Sequence, residues 1–122
     1  MKTILILDDE PEICLLLAAI LKGLGFSTIQ STTISEARQR LQKNLVDLLF
    51  MDINLSDGNG ILEVPQMQKL NPGLHIVLMS AFYSPEITTL QETKAIHSFM
   101  SKPFSRTDVV SIINELFPKV VS

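Results

Sequence analysis

Cysteine is almost absent. Cys14 is the only one in 122 residues, so the chain can form no internal disulfide and offers no Cys-rich zinc site. A reducing, cytosolic setting fits that usage best. Basic excess is absent as well. Lys and Arg total 10 against 13 Asp and Glu, for a net charge of -3, which lacks the electrostatic footprint of a nucleic-acid binder. Long hydrophobic runs are missing. The longest, Ile13 to Leu21, lies between Glu12 and Lys22 and falls short of the ~20 residues a membrane-spanning helix needs. The apolar stretch after Met1-Lys2 stops at Asp8, too soon for a signal peptide. There is no internal repeat, low-complexity tract or charge block, and no Gly-rich loop ending in Lys-Ser/Thr that would cradle a nucleotide phosphate. What is present is 46% hydrophobic residues, enough for one ordinary domain with its own core.

The hydrophobic period alternates between strand-like and helix-like along the chain. Thr3 to Leu7, Val46 to Met51 and Ile76 to Ser80 read as strands buried on both faces; Ser27 to Ser31 and Ser98 to Met100 are weaker strands. Pro11 opens a first helix with Ile13, Leu16, Leu17, Ile20, Leu21 and Leu24 at core-face spacing, closed by Gly25. Thr33 and Glu36 form a capping-box pattern before a second helix that turns Ala37, Leu41 and Leu45 inward. A polar loop over 54–60 precedes a third helix that stops before Asn71-Pro72-Gly73. Pro65 within it predicts a late start or a bend. Pro85 opens a short fourth helix with Ile87 and Leu90. Ser105 and Asp108 cap a fifth, which carries Val109, Val110, Ile112, Ile113, Leu116 and Phe117 and ends at Pro118. Five strands alternating with five helices predict an α/β fold, a doubly wound parallel sheet in the order 2-1-3-4-5. Chemistry in such sheets gathers beyond the carboxyl ends of the strands, at the switch between strands 1 and 3.

The residues at those ends share one character. Strand 1 ends in Asp8-Asp9, strand 3 in Asp52, strand 4 in Ser80, and strand 5 leads to Lys102-Pro103. Taken singly, each has an ordinary role: a helix cap or turn former for Asp8 and Asp52, a backbone-bonded hydroxyl for Ser80, a solvated turn residue for Lys102. Taken together, three carboxylates converge on one spot and resist shared ionisation. A hard divalent cation such as Mg2+ relieves that conflict and completes its shell with phosphate oxygens. A hydroxyl and an ammonium nearby can hold the remaining oxygens. The set reads as metal-assisted phosphoryl transfer to a carboxylate. His75 and His97 begin strands 4 and 5, at the opposite end of the sheet, and belong to no site.

This pattern resembles the receiver domain of two-component response regulators, similar to the stand-alone chemotaxis receiver, over essentially the whole chain. The motifs are Asp8-Asp9, Asp52, Ser80-Ala81 and Lys102-Pro103-Phe104, with 22 residues from Ser80 to Lys102. The resemblance implies a flavodoxin-like (βα)5 fold and a single receiver domain over residues 1–122, which leaves no room for an output domain in this sequence: a stand-alone regulator, or else a receiver cut from a longer chain. It implies that Asp52 is the phosphoacceptor, served by a sensor histidine kinase or histidine phosphotransfer protein. Asp8, Asp9, Asp52 and the backbone carbonyl of Asn54 would hold Mg2+. Ser80 and Lys102 would bind phosphoryl oxygens, Phe99 would be the switch aromatic, and the Lys102-Pro103 peptide would be cis. The surface of the fourth helix, fifth strand and fifth helix would then meet a downstream protein or a second copy of the chain, with no direct contact to nucleic acid or membrane. The start of the first helix, where Cys14, Leu15, Ala18 and Ala19 add apolar surface, would meet the kinase.

Three positions depart from the family pattern. Ser56 replaces a frequent proline, Lys94 replaces a frequent helix-ending glycine, and Phe82 places a bulky ring two residues after Ser80. The ring is expected to slow self-dephosphorylation. Other classes fit less well. A phosphatase of the haloacid dehalogenase type needs a second acid two residues after its nucleophile, where this chain has Asn54. A flavodoxin needs a phosphate-cradling loop where this chain has Asp8-Asp9-Glu10. A receiver fold that signals without phosphorylation is the remaining alternative, although such members usually lose an acid or the lysine.

Overall fold

Short runs of Ile, Leu, Val, Phe and Met with no polar interruption become the strands of a sheet covered on both sides. The computed structural model describes residues 2–118 and places them as β1 (Thr3–Leu7), α1 (Pro11–Gly23), β2 (Ser27–Ser31), α2 (Ile34–Lys43), β3 (Leu48–Asp52), α3 (Gly60–Leu70), β4 (His75–Ser80), α4 (Pro85–Glu92), β5 (Ser98–Ser101) and α5 (Arg106–Leu116). Met1 and residues 119–122, which the single-domain reading includes, lie outside the described residues. All five strands pair in parallel, in the order β2-β1-β3-β4-β5, as the alternating pattern predicts. A two-residue antiparallel ribbon, Asn54–Leu55 with Gly58–Asn59, stands apart from the sheet between β3 and α3.

Strand alternation divides the core in two. Ile4, Ile6, Leu48, Phe50, Val77, Met79 and Met100 face α1 and α5. Leu5, Leu7, Leu49, Met51, Ile76 and Leu78 face α2, α3 and α4. The central strands therefore need apolar residues at every position, which is why they read as unbroken runs.

Helix registers depart from the expectation in two places. The buried stripe of α1 is Cys14, Leu17, Ala18 and Leu21, whereas Leu16 is 48% exposed and Ile13 is half-buried. The run from Ile13 to Leu21 is apolar on every side, so periodicity admits more than one inward face. Packing selects the one with the small residues Cys14 and Ala18, which let the helix approach the sheet. Leu15 and Ala19 stay exposed with Leu16. Leu45, expected to point inward, is 85% exposed because α2 ends at Lys43. Nor does Pro65 delay α3, which starts at Gly60 and runs on through the proline. Pro65 is exposed, so water can reach the carbonyl whose helical donor the ring removes.

The helix ends show local chemistry at work. Beyond α1, the Phe26 N–H donates to Leu21 O (3.1 Å) and the Gly25 N–H to Lys22 O (3.0 Å), with Gly25 at φ +98°. This is a Schellman closure. The same closure ends α4, with the Ala95 N–H on Leu90 O (2.9 Å) and the Lys94 N–H on Gln91 O (3.1 Å). There the left-handed position belongs to Lys94, at φ +64°, in place of a glycine. A side chain in that region costs about 1 kcal/mol. Lys94→Gly is therefore expected to raise stability by about 0.5–1 kcal/mol, read from the urea midpoint. A lower midpoint would show that contacts of the lysine outweigh the strain. At α5, Ser105 and Asp108 cap each other reciprocally, at 3.2 and 2.8 Å. At α2, Thr33 accepts from Glu36 N, but Glu36 reaches back to Thr32 N, one residue further than a capping box requires.

Candidate functional site

Sheet register brings the polar strand ends level. Leu7 pairs with Met51 and Asp52 with Met79, so Asp8, next after Leu7, comes beside Asp52. Ser80 pairs with Ser101, and the Lys102 N–H donates to Ser80 O at 2.9 Å, which carries Lys102 to the same edge. The Lys102-Pro103 peptide is cis.

Lys102 is the centre of the constellation. Its ammonium lies 2.6 Å from Asp8 Oδ2, 3.3 Å from Glu10 Oε2 and 3.4 Å from Asp52 Oδ2, and its side chain is 13% exposed. Asp8 is fully buried. Its Oδ1 accepts from the Glu10 N–H at 2.9 Å, whereas its Oδ2 accepts no well-aligned hydrogen bond and has the ammonium as its partner. Asp52 is buried, with Oδ1 accepting weakly from the Asn54 N–H at 3.4 Å. Asp9 is exposed; carboxylate oxygens of Asp8, Asp9 and Glu10 lie within 4.8 Å of one another.

Burial, and then the facing Asp8 carboxylate, push Asp52 above the usual carboxylate range against the opposing pull of Lys102. For Lys102, burial acts downward, but Asp8, Asp52 and Glu10 together hold the ammonium above its ordinary value. Three carboxylates, those of Asp8, Glu10 and Asp52, thus share one ammonium, with the exposed Asp9 beside them. An all-oxygen set with excess negative charge, Asp8, Asp9, Glu10 and Asp52 around one lysine, fits a hard divalent cation such as Mg2+. Below it sits Cys14, whose Sγ donates to Asp8 O at 3.3 Å. Burial, with Asp8 adding to it, raises that thiol to about 11, so it stays protonated and acts as packing.

The remaining expected residues surround this centre. Ser80 is buried, and its hydroxyl accepts from the Phe82 N–H at 3.1 Å, closing a small turn. Asn54 lies on the ribbon, opposite Asn59. Phe99 is half-buried and meets Tyr83 edge to face, with centroids 5.7 Å apart. A cleft of about 400 Å3, lined by Ile53, Asn54, Asn59, Ser80, Phe82 and Tyr83 among others, opens next to the end of β3. His75 and His97 stay away from this edge; His97 pairs with Glu115 at 2.8 Å.

Glu10 was not assigned a role from sequence. Glu10 stands at the N-cap of α1 but makes no cap bond; its side chain meets Lys102, 92 residues on, instead. Tyr83 and Asp57 were also missed. Tyr83 acts through an aromatic contact with β5, and Asp57 through hydrogen bonds to α2, neither of which a local pattern reveals.

Known proteins share both the sequence and the architecture. The transcriptional regulatory protein ZraR of Salmonella typhimurium is 30% identical over 92 residues, which cover 75% of this chain and 21% of that protein. This chain therefore spans about a fifth of the length of such a relative. A two-component response regulator from Clostridium difficile superposes with a TM-score of 0.88 at 22% identity, over 100% of each chain. A response regulator protein from Burkholderia pseudomallei, solved with a phosphorylated aspartic acid, calcium ion and citrate, gives 0.82 at 22% identity over 98% of this chain and 69% of that one. The response regulator protein TrrA of Thermotoga maritima, in complex with Mg2+-BeF, gives 0.81 at 24% identity over 96% and 100%. These structural likenesses are of fold. The sequence model of the response regulator receiver domain matches residues 4–114, from the first strand through the last helix. The chain accordingly belongs to the response regulator receiver domain family, the signalling module of two-component systems.

Proposed function

We propose that this receiver takes a phosphoryl group onto Asp52 from the phosphohistidine of a sensor histidine kinase or histidine phosphotransfer protein. The observation that carries the reading is the Lys102 ammonium held between Asp8 and Asp52 at the end of the sheet. An Asp52 oxygen attacks phosphorus, the P–N bond breaks, and the imidazole nitrogen keeps the electron pair and takes up a proton. Asp8, Asp9, Asp52 and the Asn54 carbonyl would hold Mg2+. Bound there, the ion would neutralise charge on the phosphoryl oxygens. The Thermotoga complex with Mg2+-BeF and the phosphorylated aspartate of the Burkholderia protein support the assignment by likeness. The chain's chemistry is the gain and loss of its own phosphoryl group.

Lys102 exchanges part of its carboxylate contact for a phosphoryl oxygen, and the Ser80 hydroxyl, which accepts from the Phe82 N–H, turns to donate its proton to another. That movement frees the Ser80–Phe82 turn, and Phe99 packs inward past Tyr83. The new arrangement is read on α4, β5 and α5 by a downstream protein or a second copy of the chain. Leu15, Leu16 and Ala19, exposed on α1, offer the apolar face for the kinase, whereas Cys14 and Ala18, expected to belong to it, are buried against the sheet. A cytoplasmic location goes with this reading. Among the described residues, no helix is long and apolar enough to cross a membrane.

Intact mass after incubation with acetyl phosphate and Mg2+ tests the assignment. One added phosphoryl group, absent when Mg2+ is chelated, is the expected result. No added mass, together with no spectral change on adding beryllofluoride and Mg2+, would instead favour a module that signals without phosphorylation. Phe82 supplies a second expected outcome. Its ring is 78% exposed but lines the cleft beside Asn54 and Ser80, where hydrolytic water must pass. Phe82→Ala is expected to shorten the phosphoform lifetime severalfold, followed by loss of the added mass with time. An unchanged lifetime would remove the ring from the path of the water.

A further inference from the structure

The loop after β3 meets a distant helix through the carboxylate of Asp57, beside the Ile34 side chain that packs over Gly58. The first turn of α2 exposes three backbone donors, on Ile34, Ser35 and Glu36. Its own cap, Thr33, accepts only the third, at 3.1 Å. The other two are taken by Asp57, more than twenty residues further along: Ile34 N donates to Asp57 Oδ1 at 2.9 Å and Ser35 N to Oδ2 at 3.3 Å. Both oxygens of one carboxylate are thus used on one helix terminus, where the helix dipole also favours negative charge. The Ile34 bond in particular holds Asp57 below the usual carboxylate range, so the carboxylate stays charged at neutral pH.

Asp57 sits in the turn of the ribbon. Asn54 faces Asn59 and Leu55 faces Gly58, with Ser56 and Asp57 between the two arms. The far arm is fixed independently. The Gly60 N–H donates to Ile53 O at 2.8 Å, and a Cβ on Gly60 would collide with the Asp52 carbonyl oxygen. Asn59 caps α3 through Ile61 N at 2.8 Å. The near arm, which carries Asn54, is held by its pairing with the far arm, by Leu55 packed on the core and by a weak bond from the Asn54 N–H to Asp52 Oδ1 (3.4 Å). Its strongest side-chain hydrogen bonds come at the turn, where Ser56 has no ring to restrict its backbone and Asp57 makes the contact with α2.

We propose that Asp57 is a positioning residue for the cation site: by clamping the ribbon to the first turn of α2, it fixes where Asn54 presents its backbone carbonyl. The inference rests on the proposed function, because Asn54 acts as a ligand only if the receiver binds Mg2+. Coupling is reciprocal. A cation that orders Asn54 also strengthens the Asp57 contact, so the α2 terminus and the metal site stabilise each other across the ribbon.

Calorimetric titration of Mg2+ into the full chain tests this, using wild type, Asp57→Ala, Asp57→Asn and Ser105→Ala. Ser105→Ala removes a helix cap of similar worth at α5, away from the ribbon. Removing the clamp is expected to weaken Mg2+ binding about fivefold, as loss of groups that orient ligands commonly does. Asp57→Asn keeps an acceptor for Ile34 and should fall between alanine and wild type. Ser105→Ala should lower the melting temperature like Asp57→Ala and leave Mg2+ affinity unchanged. In wild type, Mg2+ should also slow amide exchange at Ile34 and Ser35. Wild-type affinity in both Asp57 variants would overturn the inference and leave Asp57 a cap alone, and so would equal loss of affinity in Ser105→Ala. A wild type that binds no Mg2+ would overturn the cation site itself, and the inference with it.

Discussion

Asp52→Asn is expected to abolish phosphoryl acceptance and, at the same time, to raise the melting temperature of the metal-free chain. The first effect follows from replacing the nucleophilic carboxylate by an amide. The second follows from electrostatics. Folding pushes Asp52 above the usual carboxylate range through burial and the nearby Asp8 charge, so the ionised form is penalised in the folded state. For a carboxylate raised in this way, stability falls as pH rises from the unfolded value through the folded one, and the penalty persists at neutral pH. Asparagine keeps the shape and removes the charge. Lys102 retains Asp8 at 2.6 Å and Glu10 at 3.3 Å, so the ammonium is not left unpaired. Intact mass with acetyl phosphate and Mg2+ should show no added phosphoryl group, and a thermal melt in chelator should lie above wild type. An unchanged or lower melt would show that the Lys102 contact with Asp52 outweighs the repulsion. A phosphorylated variant would move the acceptor elsewhere.

Lys102→Met is expected to act in the opposite direction, with a larger effect. Methionine approximates the aliphatic stem and removes only the ammonium. Asp8 is fully buried, and its Oδ2 depends on that ammonium. Removing one partner of a buried ion pair costs about 3 kcal/mol, because the other charge is left without compensation. In a domain of this size that is roughly 10 °C of melting temperature. The loss should be smaller in Mg2+, since a divalent cation supplies the missing positive charge and binding to the folded state adds stability. The variant should therefore gain more from millimolar Mg2+ than wild type does. A melt matching wild type in chelator would mean that the ammonium contributes nothing to folding. An equal Mg2+ response in both would mean that lysine and cation do not share the same carboxylates.

The two effects concern different charges in one cluster, and their signs separate the roles. Asp8 is paired to Lys102 closely enough that losing the lysine is costly. Asp52, the proposed acceptor, is less well compensated. The fold therefore gives it no close partner of its own, and a phosphoryl group with a cation would provide that compensation.

Much of the architecture follows from short-range pattern. The runs Thr3–Leu7, Leu48–Asp52 and His75–Ser80 are apolar on both faces, which allows little besides central parallel strands. Parallel strands need crossover helices, and the α/β alternation then places Asp8, Asp52, Ser80 and Lys102 at one edge. The stops at Gly25, Asn71 and Pro118, and the Ser105 cap, are local chemistry that a sequence carries openly. The side of α1 that turns inward was not legible, because an all-apolar run has no unique stripe until the sheet selects the face with Cys14 and Ala18. Leu45 was misplaced because its helix ends two residues earlier.

The sheet, its order and the convergence of acids and lysine are written along the chain, because strand period, helix period and strand-end composition are properties of neighbouring residues. How those groups share charge emerges on folding alone. That Lys102 reaches Glu10 as well as Asp8, that Tyr83 meets Phe99, and that Asp57 completes the α2 terminus are contacts between segments 16 to 94 residues apart. Their partners become neighbours only when the sheet closes, and no periodicity in the chain encodes a distance across it.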